Sequence, residues 1–184
     1  MKRTAIVAIF LSIPLLLALH GGAWGGDEND PTRVSAANLK QYLAIHQALA
    51  AGSTRGVTDA AGIIAIETNT LLKKSGARLG KPQQEVLRQI MNAAAALFKE
   101  KELSGMREVF KVLSRYMIRW SAQAHPRGIV VMLCEERKEF WLQKEGPPRN
   151  PYRGGGDPYS PFTTRVPPCG KRVEPAVIEE LFQK

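Results

Sequence analysis

The sequence predicts an all-α fold, in which an antiparallel bundle of about four helices over residues 36–124 precedes an irregular C-terminal tail over 125–184. Two observations predict the bundle. Apolar residues recur at helical spacing in four segments, and short glycine-containing breaks separate those segments. Amphipathic helices joined by short connections can bury their apolar stripes only against one another, which indicates antiparallel packing.

The first two helices lie between residue 36 and residue 74. Ser35 is a suitable N-cap for a helix that begins near Ala36, and Gly52 ends that helix. A second helix over about 57–74 is rich in alanine, isoleucine and leucine, although Gly62 lowers its helix propensity. The apolar residues of the first helix are Leu39, Tyr42, Leu43, Ile45 and Leu49.

The third and fourth helices have the clearest apolar stripes. Pro82 lies where the first turn of a helix tolerates proline, so it marks the start of the third helix. Residues 101–105 separate it from the fourth. The stripe of the third helix is Val86, Leu87, Ile90, Ala94, Leu97 and Phe98, and that of the fourth is Met106, Val109, Phe110, Leu113, Met117 and Trp120.

The tail begins after the fourth helix and changes character. Two short apolar runs, 129–133 and 140–142, flank a charged turn and predict a small β-hairpin. Residues 146–170 are dense in proline and glycine, which favours loop over helix. Residues 177–182 could form one last helical turn.

The N-terminus has the layout of a secretory signal peptide. Lys2 and Arg3 form a basic start, residues 5–19 are apolar, and the small residues 21–23 suit signal peptidase. The apolar run is shorter than the roughly 20 residues that cross a bilayer. We therefore predict a signal peptide over 1–23, a flexible leader over 24–35, and a periplasmic or secreted protein. The alternative is an uncleaved N-terminal anchor.

Export changes the meaning of the basic charge, which is +9 for the chain and +7 once Lys2 and Arg3 are removed. An exported protein seldom meets nucleic acid, so an acidic envelope protein or an anionic membrane surface is the expected counterpart. The fourth helix carries cations four residues apart, and these form a candidate docking face: Arg107, Lys111, Arg115 and Arg119. The alternative is a solvated helix face.

Motifs for catalysis are absent from the sequence. It has no Gly-x-Ser-x-Gly and no His-Glu-x-x-His motif, and residues 154–156 are not followed by the Lys and Ser/Thr of a phosphate-binding loop. His46 lies on the apolar side of the first helix and is expected to be packed. We predict a protein that is not an enzyme.

Cys134 and Cys169 are the only cysteines, and thiols outside the cytosol tend to oxidise. We predict a disulfide that holds the tail. The alternative is a soft-metal site for Cu(I) or Ag(I), in which Met132 and His125 would join the cysteines. His125 is otherwise expected at the C-terminal end of the fourth helix.

Several short motifs of the C-terminal third follow one another in a fixed order: Cys134, Trp141-Leu142, Arg149-Asn150-Pro151-Tyr152-Arg153-Gly154 and Cys169-Gly170. This order resembles a bacterial domain-of-unknown-function family. That domain stands alone in some secreted proteins and forms the C-terminal domain of periplasmic copper/silver efflux adaptors of the membrane-fusion type. The resemblance spans about residues 36–173. It implies an aromatic anchor at Trp141 and a rigid turn formed by Asn150, Pro151, Tyr152 and Gly154.

The chain departs from the family's pattern beside both cysteines. Residues 135–136 are Glu-Glu where the family has Pro-Met, and residues 166–168 are Val-Pro-Pro where it has Met-Leu. Because thioethers are soft ligands that select Cu(I), the cysteines lose their usual soft neighbours. By resemblance, we expect a non-enzymatic binding protein in envelope metal handling. The alternative is an interaction module without metal, which docks an acidic partner or an anionic membrane.

Overall fold

The computed structural model describes residues 31–153 and 169–174, with side chains described from residue 36. Its elements in chain order are α1 (Pro31–Ala50), α2 (Val57–Ser75), a 3-10 turn (Gly76–Arg78), α3 (Lys81–Lys99), α4 (Leu103–Ala124), β1 (Ile129–Cys134), β2 (Glu139–Lys144) and β3 (Lys171–Val173). The predicted signal peptide, residues 24–30 of the predicted leader, Gly154 and the predicted helical turn at 177–182 lie outside the described residues.

The four helices form the predicted bundle, and each packs mainly against its neighbour along the chain. α1 begins at Pro31 and not near Ala36, so Ser35 lies inside the helix and the predicted cap is wrong. Pro82 lies in the first turn of α3 as expected. The backbone N–H of Gly80 donates to Gln83 Oε1 at 3.2 Å, which gives a partner to one N–H that the helix start leaves free.

Phe98 belongs to the predicted apolar stripe of α3, but the prediction that it is buried is wrong. Leu87, Ile90 and Leu97 are buried as predicted, but Phe98 is 52% exposed. Its ring lies across the surface of α2, where a Cβ atom on Gly62 would be 3.2 Å from it. Gly62 therefore leaves room for the ring, which a larger side chain would have to displace.

The tail is not wholly irregular, because part of it forms a three-stranded antiparallel sheet of order β2-β1-β3. The predicted hairpin is confirmed, and its register pairs Ile129 with Lys144. β3 is a strand that the sequence did not predict, and it pairs with β1 through Val131 and Val173. The fold is therefore mostly helical with a small sheet, and the all-α prediction is corrected.

The sheet packs against α4 and shares one hydrophobic core with the helices. Trp141 and Leu142 of β2 are fully or almost fully buried, together with Phe110 and Met117 of α4. The hairpin is thus part of the domain's core and not an appendage. Within the described ranges, no helix has both the length and the apolar character needed to cross a membrane.

Candidate ligand-binding groove

A disulfide joins Cys134 to Cys169, whose Cα atoms are 5.2 Å apart. Cys134 ends β1 and is fully buried, and Cys169 lies two residues before β3. The bond therefore fixes β3 beside β1 and closes a loop with a sequence separation of 35. The predicted disulfide is confirmed.

His125 lies apart from the other residues of the alternative soft-metal site. His125 follows the last residue of α4, four residues before β1 begins, whereas Cys134 is at the other end of β1. Five strand steps of roughly 3.3 Å place the two ends of β1 about 17 Å apart. Met132 shares a strand face with Cys134. Among the described residues, no group of three or more His, Cys, Asp or Glu side chains could hold a metal ion.

Arg107, the first cation of the predicted docking face, points into the molecule. Its guanidinium donates to the carbonyl of Leu49 at 3.0 Å and to that of Pro151 at 3.1 Å. Leu49 lies in the last turn of α1, where carbonyls lack helical partners. Arg107 therefore links α1, α4 and the turn after β2, which is a structural role.

Lys111 is also engaged within the molecule. It forms ion pairs with Glu108 at 2.7 Å and with the buried Glu139 at 3.1 Å, and it lies 5.6 Å from the ring centre of Tyr152. Burial opposes its charge, but the hydrogen bonds to the two carboxylates outweigh burial and raise its pKa. Arg115 and Arg119 are exposed. The predicted face is thus divided, with two cations turned inward.

Asn150, Pro151 and Tyr152 of the turn predicted from the family resemblance lie in a turn after β2. Asn150 Oδ1 accepts a hydrogen bond from the Tyr152 backbone N–H at 2.8 Å, the local arrangement that asparagine favours in turns. Trp141 donates through Nε1 to Gln143 Oε1 at 2.9 Å. Gln143 Oε1 also accepts from the Arg149 backbone N–H at 3.0 Å. The buried indole and the turn are therefore joined through one amide side chain.

Three buried hydroxyls join α1, α4 and the turn. Ser114 Oγ lies 2.7 Å from the Tyr42 hydroxyl and 3.0 Å from the Tyr152 hydroxyl. The Tyr152 hydroxyl donates to the carbonyl of Phe140 at 2.6 Å. Each hydroxyl has one proton, so the order Tyr42 to Ser114 to Tyr152 to Phe140 uses every proton once. Ser114 lies one turn after Phe110 on the buried side of α4, which was its only signal in the sequence.

The Tyr42 and Tyr152 hydroxyls also give hydrogen-bond partners to backbone groups on the outer edge of β2, the edge away from β1. The Leu142 backbone N–H donates to the Tyr42 hydroxyl at 3.1 Å, and the Phe140 carbonyl accepts from Tyr152. The carbonyl of Lys144 accepts from Gln143 Nε2 at 3.3 Å. Unpaired backbone N–H and C=O groups on a strand edge can pair with another chain. Because these side chains already bond to the edge of β2, they hinder the addition of another strand there.

A groove of about 700 Å³ runs between α1 and the end of β2 together with the segment that follows it. Leu39 and Leu43 of α1 give it an apolar floor and are half-buried. The opposite wall consists of residues 143–147 and Arg149. Apolar surface with a few polar groups at its rim is the usual character of a binding site in proteins.

Three exposed cations stand around this groove: Lys40, Lys144 and Arg149. None of them forms an ion pair with another described residue. The one carboxylate of the lining, Glu145, lies 3.7 Å from Arg172. The groove therefore has a positive rim. The sequence gives no sign of it, because α1 and β2 are about a hundred residues apart and no periodicity relates them.

His46 supports the far wall of the groove. It is buried, and its Nε2 lies 2.8 Å from the carbonyl oxygen of Arg149. A carbonyl only accepts, so Nε2 carries the proton. Burial lowers the pKa of His46 from 6.5 to about 4, so the ring is neutral at pH 7. As expected, this histidine is packed, and it positions the backbone of Arg149.

Comparison of the chain with protein-family models, with curated proteins and with solved structures finds no match. The groove and its rim are therefore identified from the geometry of this chain alone.

Proposed function

We propose that this chain is an exported, non-enzymatic interaction protein that docks an acidic segment of a partner protein in the groove along α1. One observation carries the proposal. Three cations surround a half-buried apolar floor and form no ion pair with the described residues, so carboxylates of a partner could pair with them without displacing a carboxylate of that part of the chain. The docking surface is therefore α1 and the wall after β2, in place of the α4 face.

The shape of the site favours a protein segment over a membrane surface. The groove is a concavity of about 700 Å³, the shape in which proteins usually bind ligands, whereas peripheral membrane binding typically uses the apolar face of an amphipathic helix. A peptide can place apolar side chains on Leu39 and Leu43 while its carboxylates reach the rim. Electrostatic complementarity of this kind speeds association and selects partners.

Export is supported by the layout of residues 1–23 and by the disulfide, since disulfides persist in oxidising compartments. The intact mass of protein recovered from the cell envelope tests this part. The mass should correspond to a chain that lacks about 23 residues and has no free thiol. A full-length mass with two free thiols would reject export.

The docking proposal is tested by selecting decapeptides from a random display library on the exported protein. Selected peptides should combine aspartate or glutamate with apolar residues. The double change Lys40→Glu and Arg149→Glu should weaken their binding at least about tenfold, measured by fluorescence anisotropy, and added salt should weaken it as well. The matched control is Arg115→Glu with Arg119→Glu, the same change of charge on α4.

Three results would change the conclusion. Equal losses from both double variants would mean that net charge and not the groove attracts the peptides. Selected peptides without carboxylates would reject an acidic partner. Binding of phosphatidylglycerol vesicles that is lost with Lys40→Glu and Arg149→Glu, without peptide binding, would assign the groove to a membrane surface.

The second candidate is copper or silver handling by the reduced protein, which the family resemblance favours. The Cα atoms of Cys134 and Cys169 are 5.2 Å apart, so reduction would leave two thiols side by side, and thiolates select Cu(I). Titration of reduced protein with Cu(I) against a competing chelator tests this candidate. Binding by Cys134→Ser as tight as that of the unaltered chain would reject it.

A further inference from the structure

We infer that the exposed face of α2 is a surface through which two copies of this chain associate. In this dimer the two α2 helices lie antiparallel, with a two-fold axis at Ile66. The surface is separate from the groove, because the lining residues of the groove come from α1 and from residues 143–149. Exposed apolar side chains and the positions of two charges on α2 lead to this arrangement.

The apolar part of the face is centred on Ile66, which is 66% exposed. Among the described residues four large apolar side chains are exposed, and three of them meet at the surface of α2. Ile63 and Ile66 belong to α2, and the Phe98 ring of α3 lies against it at Gly62. With 3.6 residues per turn, Gly62 is about 40° to one side of Ile66 and Ile63 about 60° to the other. Single exposed apolar residues are common, whereas a contiguous group marks an interaction site.

Asp59 and Lys73 complete the face. They lie seven residues before and seven residues after Ile66, in the first and the last turn of α2. Seven residues return to within about 20° of the same side of a helix, so the three side chains form one line. Both charges are exposed, and neither forms an ion pair with another described residue.

The face is complementary to itself. Asp59 and Lys73 are each about 10 Å from Ile66 along the axis, at 1.5 Å per residue. A two-fold axis at Ile66 therefore places Asp59 of each copy opposite Lys73 of the other, and Ile66 opposite its equivalent. Helices that cross at roughly 20° keep such a seven-residue line in contact. A parallel pair would instead oppose like charges.

The balance of charge favours a second copy of the chain over other occupants. The line has one carboxylate and one cation at equal distances from its apolar centre, whereas an acidic protein segment or an anionic membrane would require an excess of cations. An isologous dimer needs one patch that complements itself. This face of α2 meets that requirement in its apolar part and in its charges.

The first test is sedimentation equilibrium of the protein purified with its disulfide intact, from micromolar to millimolar concentration. A monomer–dimer equilibrium is expected. Ile66→Glu should abolish the dimer, because two carboxylates would face each other at the axis. The full helical circular dichroism of this variant would show that the exposed change leaves the fold intact. A chain that stays monomeric up to millimolar concentration would overturn the inference, as would a dimer that persists in Ile66→Glu.

The second test exchanges the charges. Asp59→Lys alone and Lys73→Asp alone should each weaken the dimer at least about tenfold, because like charges then face each other. The two variants mixed in equal amounts should form a heterodimer as tight as the original dimer, since opposite charges meet again in both pairs. The matched control is Lys74→Asp, the same change at an exposed position about 100° around the helix, which should leave the dimer intact.

The mixture decides the arrangement. Single variants that weaken the dimer without recovery on mixing would overturn the antiparallel pairing, as would equal losses from Lys73→Asp and Lys74→Asp. A monomer that binds phosphatidylglycerol vesicles through Ile66 would assign the face to a membrane and overturn the inference. Binding of the decapeptides in the groove is measured separately, so failure of the dimer leaves the proposed function standing.

Discussion

Ser114 is a small residue with a large structural role, because it gives a partner to two buried tyrosine hydroxyls. Removing one member of a buried hydrogen-bonded group leaves the others without full partners, which costs about 1–3 kcal/mol. We therefore predict that Ser114→Ala lowers the free energy of unfolding by about 1–3 kcal/mol, measured by urea denaturation.

The control for Ser114→Ala is Ser104→Ala, the same change at an exposed position of α4. Its effect should stay within about 0.5 kcal/mol. Tyr42→Phe combined with Ser114→Ala should cost less than the sum of the single changes, since the two hydroxyls share a hydrogen bond. Additive losses would show that the three hydroxyls do not act as one group.

His46 makes stability depend on pH. Its pKa is about 4 in the folded protein and 6.5 as the reference value, so between these values the unfolded chain binds more protons. Its contribution is complete above about pH 6.5 and is lost as the pH falls through 4. Full protonation should cost on the order of 3 kcal/mol. The measurement is the free energy of unfolding at pH 7 and at pH 4.5.

His46→Gln is the control, since a glutamine can donate to the carbonyl of Arg149 but does not titrate. The carboxylates of the chain contribute equally in both proteins, so the difference between the two pH profiles isolates the histidine. A variant that loses as much stability as the unaltered chain between pH 7 and pH 4.5 would assign the loss to other groups.

At the scale of elements, periodic patterns explain which parts of the fold were predictable. The α3 and α4 stripes predicted two helices because side chains four residues apart share a face. β3 has only three residues, and its pairing depends on a disulfide partner 35 residues away, so no local pattern marks it. The groove could not be predicted for the same reason, since Lys40 and Arg149 meet only through tertiary packing.

Gly170, the residue before β3, lies close to the Trp141 ring of β2 and to Pro148. A Cβ atom at this position would lie 2.9 Å from the Trp141 ring and 2.9 Å from Pro148 Cβ. Trp141 is fully buried and cannot yield without disturbing the core. We predict that Gly170→Ala lowers the free energy of unfolding by about 1–3 kcal/mol, measured by chemical denaturation with the disulfide intact.

Gly76→Ala is the matched control for Gly170→Ala. Gly76 has φ of −56°, and nothing lies within 4 Å of an added Cβ. Alanine there should leave stability unchanged or raise it by about 0.4–1 kcal/mol. If both changes cost the same, the close contact of Gly170 with Trp141 would not be the cause.

At the scale of the whole molecule, the bundle and the sheet are joined by several kinds of contact. Arg107 joins α1, α4 and the turn after β2, and the hydroxyls of Tyr42 and Tyr152 cap the edge of β2. Trp141 lies in the same hydrophobic cluster as the helices. Separate unfolding of the sheet would expose this shared core, so we expect one cooperative unit.

Cooperative unfolding can be measured with Trp141 as a reporter of the sheet and circular dichroism at 222 nm as a reporter of the helices. Trp24→Phe and Trp120→Phe leave Trp141 as the single indole. We predict that the urea midpoints of fluorescence and circular dichroism coincide, as they do in most small single domains. A fluorescence transition that precedes the loss of helix would mean that the sheet unfolds first, and the groove wall after β2 would then open independently of α1.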